Sequence, residues 1–137
     1  MLKATQNTKI DPIFSAIEAH RQVVLARLQI LETRGTTSDN DPHSAAIDDA
    51  LDAANEAEIE AQAALTNIPA TTIPGLMAVT VYVSKLTNRG HDWTIGGDLI
   101  DEDAGDTEPR SFEACLIRSC AVALAQINGV TAISARS

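Results

Sequence analysis

Twice in this chain an Asp-Pro pair stands ahead of a long run of apolar residues at helical spacing, and that punctuation favours helices before anything else is weighed. Asp11-Pro12 opens the first run. Aspartate caps a helix by accepting from its free N–H groups, and proline suits the first turn because its missing N–H is not needed there. Ile13, Ile17, Val24, Leu28 and Leu31 follow at helical spacing, and Phe14, Leu25 and Ile30 widen the stripe. Arg34 and Gly35 supply a cation near the C-terminus and a residue able to take the left-handed cap conformation. The spacing predicts a helix over 12–34.

Asp41-Pro42 repeats the signal after the turn-forming residues 36–40. The second helix is expected over 43–67, with Ile47, Leu51, Ala54, Ala61, Leu65 and Ile68 as its apolar line. The alanines crowded between allow close helix–helix approach, so the first two helices are expected to form a long antiparallel hairpin. Pro69 stops the second helix, and Thr71, Thr72 and Pro74 mark a third start.

The next segment is less clear-cut. Val79-Thr80-Val81-Tyr82-Val83 is rich in β-branched residues, and propensity alone permits a strand. A lone strand has no partner in this sequence, and unpaired backbone groups in a core are costly. A helix over 73–88 is therefore expected. A loop at 91–106 follows, then a fourth helix over 109–128 carrying Phe112, Leu116, Ser119, Ala123 and Ile127, with Ile117, Cys120 and Leu124 beside them. Gly129 reads as its stop. The fold class is all-α and four-helix-bundle-like. One domain spans 11–128, between a flexible segment 1–10 and a frayed tail 129–137.

The totals agree. A chain of 137 residues is long enough for one real core. Its aromatics are two Phe, one Tyr and one Trp, so alanine and aliphatic side chains must fill the interior, which suits packed helices. A net charge of −9 repels phosphate backbones and anionic membranes, which argues against nucleic acid and membrane surfaces as partners. Met1–Ile10 lacks the apolar stretch of a secretory signal, and no run reaches the roughly 20 apolar residues of a membrane span. Cys115 and Cys120 point about 140° apart around one helix and cannot easily bridge, so reduced thiols and a cytoplasmic location are expected.

Several segments carry a family resemblance. Asp11-Pro12-Ile13-Phe14 with Ala16-Ile17-Glu18-Ala19-His20-Arg21 resembles the opening of a group of short bacterial helical proteins with no assigned activity. Pro69-Ala70-Thr71-Thr72-Ile73-Pro74-Gly75-Leu76, the Tyr82-Val83 pair, Trp93 and Leu116-Ile117-Arg118-Ser119 resemble further segments of the same group. The resemblance spans Asp11 to Ile127. It implies helix at 79–83, where similar sequences carry Leu and Ala, and it implies no catalytic residue, cofactor or metal.

The acids are clustered. Asp48, Asp49, Asp52, Glu56, Glu58 and Glu60 share the second helix with no Lys or Arg between 43 and 67, and seven more lie between Asp92 and Glu108. A solvated face is the plain expectation. Asp48, Asp49, Asp52, Glu56 and Glu60 are also the candidates for docking a basic protein partner. Asp98, Asp101, Asp103 and Asp106 are weak candidates for a divalent cation, although the segment fails the calcium-loop pattern because its glycine falls at position five and Phe112 at position twelve.

His20, His43 and His91 show no metal-ligand spacing, so His20 is expected to be a hydrogen-bonded structural residue near the edge of the core. Trp93 is expected to fold over the end of the bundle with its indole N–H bonded. No phosphate-binding loop or nucleophile elbow is present, and neither cysteine carries a sign of activation. The function expected is a non-enzymatic interaction or scaffold module without cofactor, forming a homo-oligomer, with a dimer favoured. A cation-binding protein using residues 98–108 is the alternative, and a cysteine-nucleophile enzyme the third reading.

Overall fold

The computed structural model describes residues 10–91, 93, 99–100 and 109–129. Four helices pack together: α1 (Pro12–Gly35), α2 (Ser44–Asn67), α3 (Ile73–Asn88) and α4 (Phe112–Ile127). The all-α, bundle-like expectation holds, including helix at the β-branched stretch 79–83, where Val79 is buried in the core. None of the helices is long and apolar enough to cross a membrane.

Helices α1 and α2 run antiparallel, as the cross-links His20–Glu58, Arg27–Asn55 and Arg34–Asp48 show by ascending one helix while descending the other. At 24 residues each they are about 36 Å long, whereas α3 and α4, at 16 residues, reach only about 24 Å. The short helices therefore cover one half of the hairpin. Buried side chains in α1 fall within Ile13–His20 and those in α2 within Glu58–Thr66. Ile13, Ile17, Leu65, Val79, Trp93, Phe112 and Ala123 form the core there.

Some expected boundaries shift. Gly35 is the last helical residue of α1 rather than a left-handed cap, and among the described residues the positive-φ glycines are Gly90 and Gly129, closing α3 and α4. Asp41 closes a turn by accepting from the His43 N–H, and α2 begins just after it. The fourth helix starts at Phe112, not 109, because Ser111 is its cap and accepts from the Ala114 N–H. Pro109–Arg110 instead pair antiparallel with Leu99–Ile100 in a two-residue ladder, which the sequence did not suggest.

One carboxylate ties two helix starts together. Asp11 Oδ1 accepts from the Ile13 N–H at the head of α1, while Oδ2 accepts from the Thr71 and Thr72 N–H groups and the Thr72 hydroxyl at the head of α3. The Thr72 hydroxyl in turn caps α3 by accepting from the Gly75 N–H. Burial pushes the Asp11 carboxyl up, and these hydrogen bonds more than offset that and hold it below its ordinary value. Gly75 is required by this clamp, because a Cβ there would fall on the Asp11 carboxylate and against Ile13. Gly75→Ala is expected to cost about 3 kcal/mol, at the upper end for overpacking. Urea unfolding checks this as a lowered midpoint at unchanged slope.

Candidate functional site

The apolar lines of α1 and α2 each skip one rung, and the two gaps face each other. Between Ile17 and Val24 the rung is His20, and between Ala54 and Ala61 it is Glu58. Both side chains are 0% exposed. His20 Nε2–H donates to Glu58 Oε2 at 2.9 Å, and His91, just past the end of α3, donates its Nε2–H to the same oxygen at 2.8 Å. Gln62, one turn along α2, adds a third donor at 2.8 Å. Glu58 Oε1, also buried, has no partner among the described residues.

The far side of His20 faces a phenol. Tyr82 Oη lies 2.6 Å from His20 Nδ1. In the tautomer with its proton on Nε2, the His20 ring accepts at Nδ1 from the Tyr82 hydroxyl. Burial is the main force pushing the Tyr82 hydroxyl up to about 12, so it stays protonated and able to donate. Arg21 lies over the Tyr82 ring, 5.4 Å from its centroid.

Aromatic rings wall the cluster. Trp93 stacks on His20 at 5.2 Å and on Phe112 at 4.3 Å, and it meets His91 edge-on at 4.5 Å. Its indole N–H donates to Thr87 Oγ1, so the expected partner is present, but the ring lies within the core cluster. Glu58 is thereby kept dry. Desolvation pushes its carboxyl up, yet the hydrogen bonds from His20, His91 and Gln62 outweigh burial and hold it far below the ordinary carboxylate range.

The other expected residues lie elsewhere. Asp48, Asp49, Asp52, Glu56 and Glu60 are exposed on α2, and Asp48 pairs with Arg34. Glu58 departs from that solvated face: it sits on the core rung of α2, so its neighbours in space are imidazoles rather than water. His20 likewise lies inside the core, not at its edge. His43 is exposed and apart from the cluster. The loop candidates Asp98, Asp101, Asp103 and Asp106 lie outside the described residues. Neither Cys115 nor Cys120 forms a disulfide, and burial pushes the thiol of Cys120 up, away from the thiolate that nucleophilic chemistry needs.

A groove of about 650 Å³ runs from the cluster along the cleft between α1 and α3. Its walls include Val24, Leu25, Leu28 and Leu86, its rim Arg21, Arg27, Lys85 and Arg89, and its inner end Tyr82 and His91. A concentration of cations on one groove is notable in a chain of net charge −9.

Comparison with known protein families, curated proteins and solved structures finds no match to this chain. The site is accordingly interpreted from its own geometry. The signal that exposes it in the sequence is the pair of skipped rungs, and His91 had none, because it reaches the cluster only through the turn that follows α3.

Glu58→Ala is expected to destabilise the fold by roughly 3–5 kcal/mol, since it leaves buried donors of His20 and Gln62 unmatched. Because the folded-state pKa of Glu58 is depressed, its ionised form contributes stability above the ordinary value of 4.5 that is lost as pH falls below it. Melting curves from pH 7 to pH 3 check this: the wild type should lose stability steeply on the acid side, and Glu58→Gln should show a shallower slope there.

Proposed function

We propose that the chain is a non-enzymatic helical scaffold module that pairs with a second copy of itself through the distal half of the α1–α2 hairpin. One observation carries this: no residue from 21 to 57 is buried, although these residues make up more than half of both long helices. Leu25 and Leu28 are 50% and 51% exposed, and Leu31 is exposed beside them. An isolated pair of helices is poorly stabilised without further packing, since most helix stability in proteins comes from burying an apolar face.

A second copy is the occupant favoured by charge. The α1 side of this arm carries Arg21, Arg27 and Arg34 against the single acid Glu32, and the α2 side carries Asp48, Asp49, Asp52 and Glu56 with no base. Two arms related by a two-fold axis can set each basic edge against the partner's acidic one and bury both leucine stripes as a four-helix layer. The exposed apolar residues Ile73, Met77 and Val81 at successive turns of α3, with Phe14 of α1 nearby, extend the apolar surface past the arm. A basic protein partner for the acidic face of α2 is the competing occupant.

Light scattering on a sizing column tests the pairing. The expected mass is twice the 14.5 kDa of one chain, falling to a monomer in Leu28→Glu while circular dichroism stays helical. A wild-type monomer at high micromolar concentration overturns self-association. A dimer that Leu28→Glu leaves intact overturns the assignment to the arm.

A further inference from the structure

We propose that His20, Glu58 and His91 form a binding site for a first-row divalent transition-metal ion of the zinc class. Each supplies a ligand atom, and these atoms all lie within 4.8 Å of one another; both histidines turn Nε2 to the Glu58 carboxylate. Three ligands at about 2.0–2.2 Å from a common ion sit roughly 3.3 Å apart, so the hydrogen-bonded edges of 2.9 and 2.8 Å open slightly and the two imidazole nitrogens, within 4.8 Å of one another, draw together. Two imidazoles and one carboxylate suit zinc, cobalt or ferrous iron, and disfavour calcium and magnesium, which take oxygen ligands.

Among the described residues the hydrogen bonding of the Glu58 carboxylate is uneven. Three N–H donors crowd onto Glu58 Oε2, while the buried Oε1 has none. A carboxylate has about four acceptor positions over its two oxygens, and an unmatched buried one is costly. A turn of the carboxylate that presents Oε1 to a cation between the rings leaves Oε2 to Gln62. That arrangement satisfies both oxygens.

The surroundings fit ligation as well. Binding at His20 Nε2 requires the ring proton to move to Nδ1, and Tyr82 accommodates it: its hydroxyl donates to Nδ1 in the ion-free tautomer and accepts from Nδ1–H in the ion-bound one. A partner on the distal nitrogen is what orients a metal-binding imidazole. Ligation by His91 Nε2 likewise needs that ring's proton on Nδ1. Its side chain, 11% exposed, forms the inner end of the groove and provides the entry path. The described residues supply three ligands, and a zinc-class ion takes four or more.

The full-length chain, stripped with a chelator, is titrated with Co²⁺ and separately with Zn²⁺. Visible ligand-field absorption at one Co²⁺ per chain is expected, together with quenching of Trp93, the sole tryptophan, whose ring lies 4.5 Å from that of His91. Zinc should raise the melting temperature. His91→Ala, at the margin of the core, should abolish the absorption band and the zinc shift while circular dichroism confirms the fold. Tyr82→Phe should weaken binding about 10–100-fold as an orienting residue, and His43→Ala should leave it unchanged. Absence of the band and of any zinc shift at millimolar ion overturns the site. Binding that survives His91→Ala also overturns it and points to the acidic surface instead.

Discussion

The fold turns on a carboxylate that cannot reach water. Transferring Glu58 into the interior costs several kcal/mol as an isolated ion, and the cost is met only where donors are fixed around it. Those donors come from α1 through His20, from α2 itself through Gln62, and from the segment after α3 through His91. A shift of α1 by one turn, about 5.4 Å, would take His20 out of reach. The charge therefore specifies register where alanine packing alone would not, since a line of small residues accepts many offsets. Trp93 and Phe112 then close over the polar cluster and make α4 part of the same arrangement.

Asp11 does the equivalent work at the other end of α3. Its two oxygens divide between the head of α1 and the head of α3, so two helix starts that would each need a cap share one. The arrangement demands Gly75, because the carboxylate occupies the space of a Cβ, and it demands Thr72, whose hydroxyl donates to Asp11 and accepts from Gly75. Both clamps use an acid held ionised in the interior by hydrogen bonds. Both lose their basis in the same acid range, so the two ends of the folded half are expected to fail together rather than in sequence.

Much of this was legible in the residues. Capping chemistry at Asp11-Pro12 and Thr72, and the stops at Pro69, Gly90 and Gly129, placed the four helices, because local signals of this kind act within a few residues. The β-branched run 79–83 was resolved by the lack of a strand partner, a global constraint that overrode propensity. The cluster was hidden for a different reason. A period tells which rung faces the core but not what occupies it, and a skipped rung looks like a weak point in the pattern rather than a site. Two skipped rungs opposite one another in a predicted antiparallel hairpin are more informative than either alone. His91 stays beyond such reasoning, since its position depends on the path of the turn after Asn88.

The chain divides by burial into a closed half and an open one, yet the groove between α1 and α3 belongs to both. Leu25 and Leu28, the most exposed leucines of the arm, line the same groove as His91. A copy seated on those leucines would therefore cover the route by which solvent reaches the Glu58 cluster. Removing water lowers the local dielectric, which strengthens the hydrogen bonds of an already paired carboxylate and raises the cost of any unpaired one. Association through the arm would thus favour whichever state of the cluster leaves neither carboxylate oxygen unmatched. The half of the molecule that lacks a core would in this way be coupled to the half organised around a buried charge.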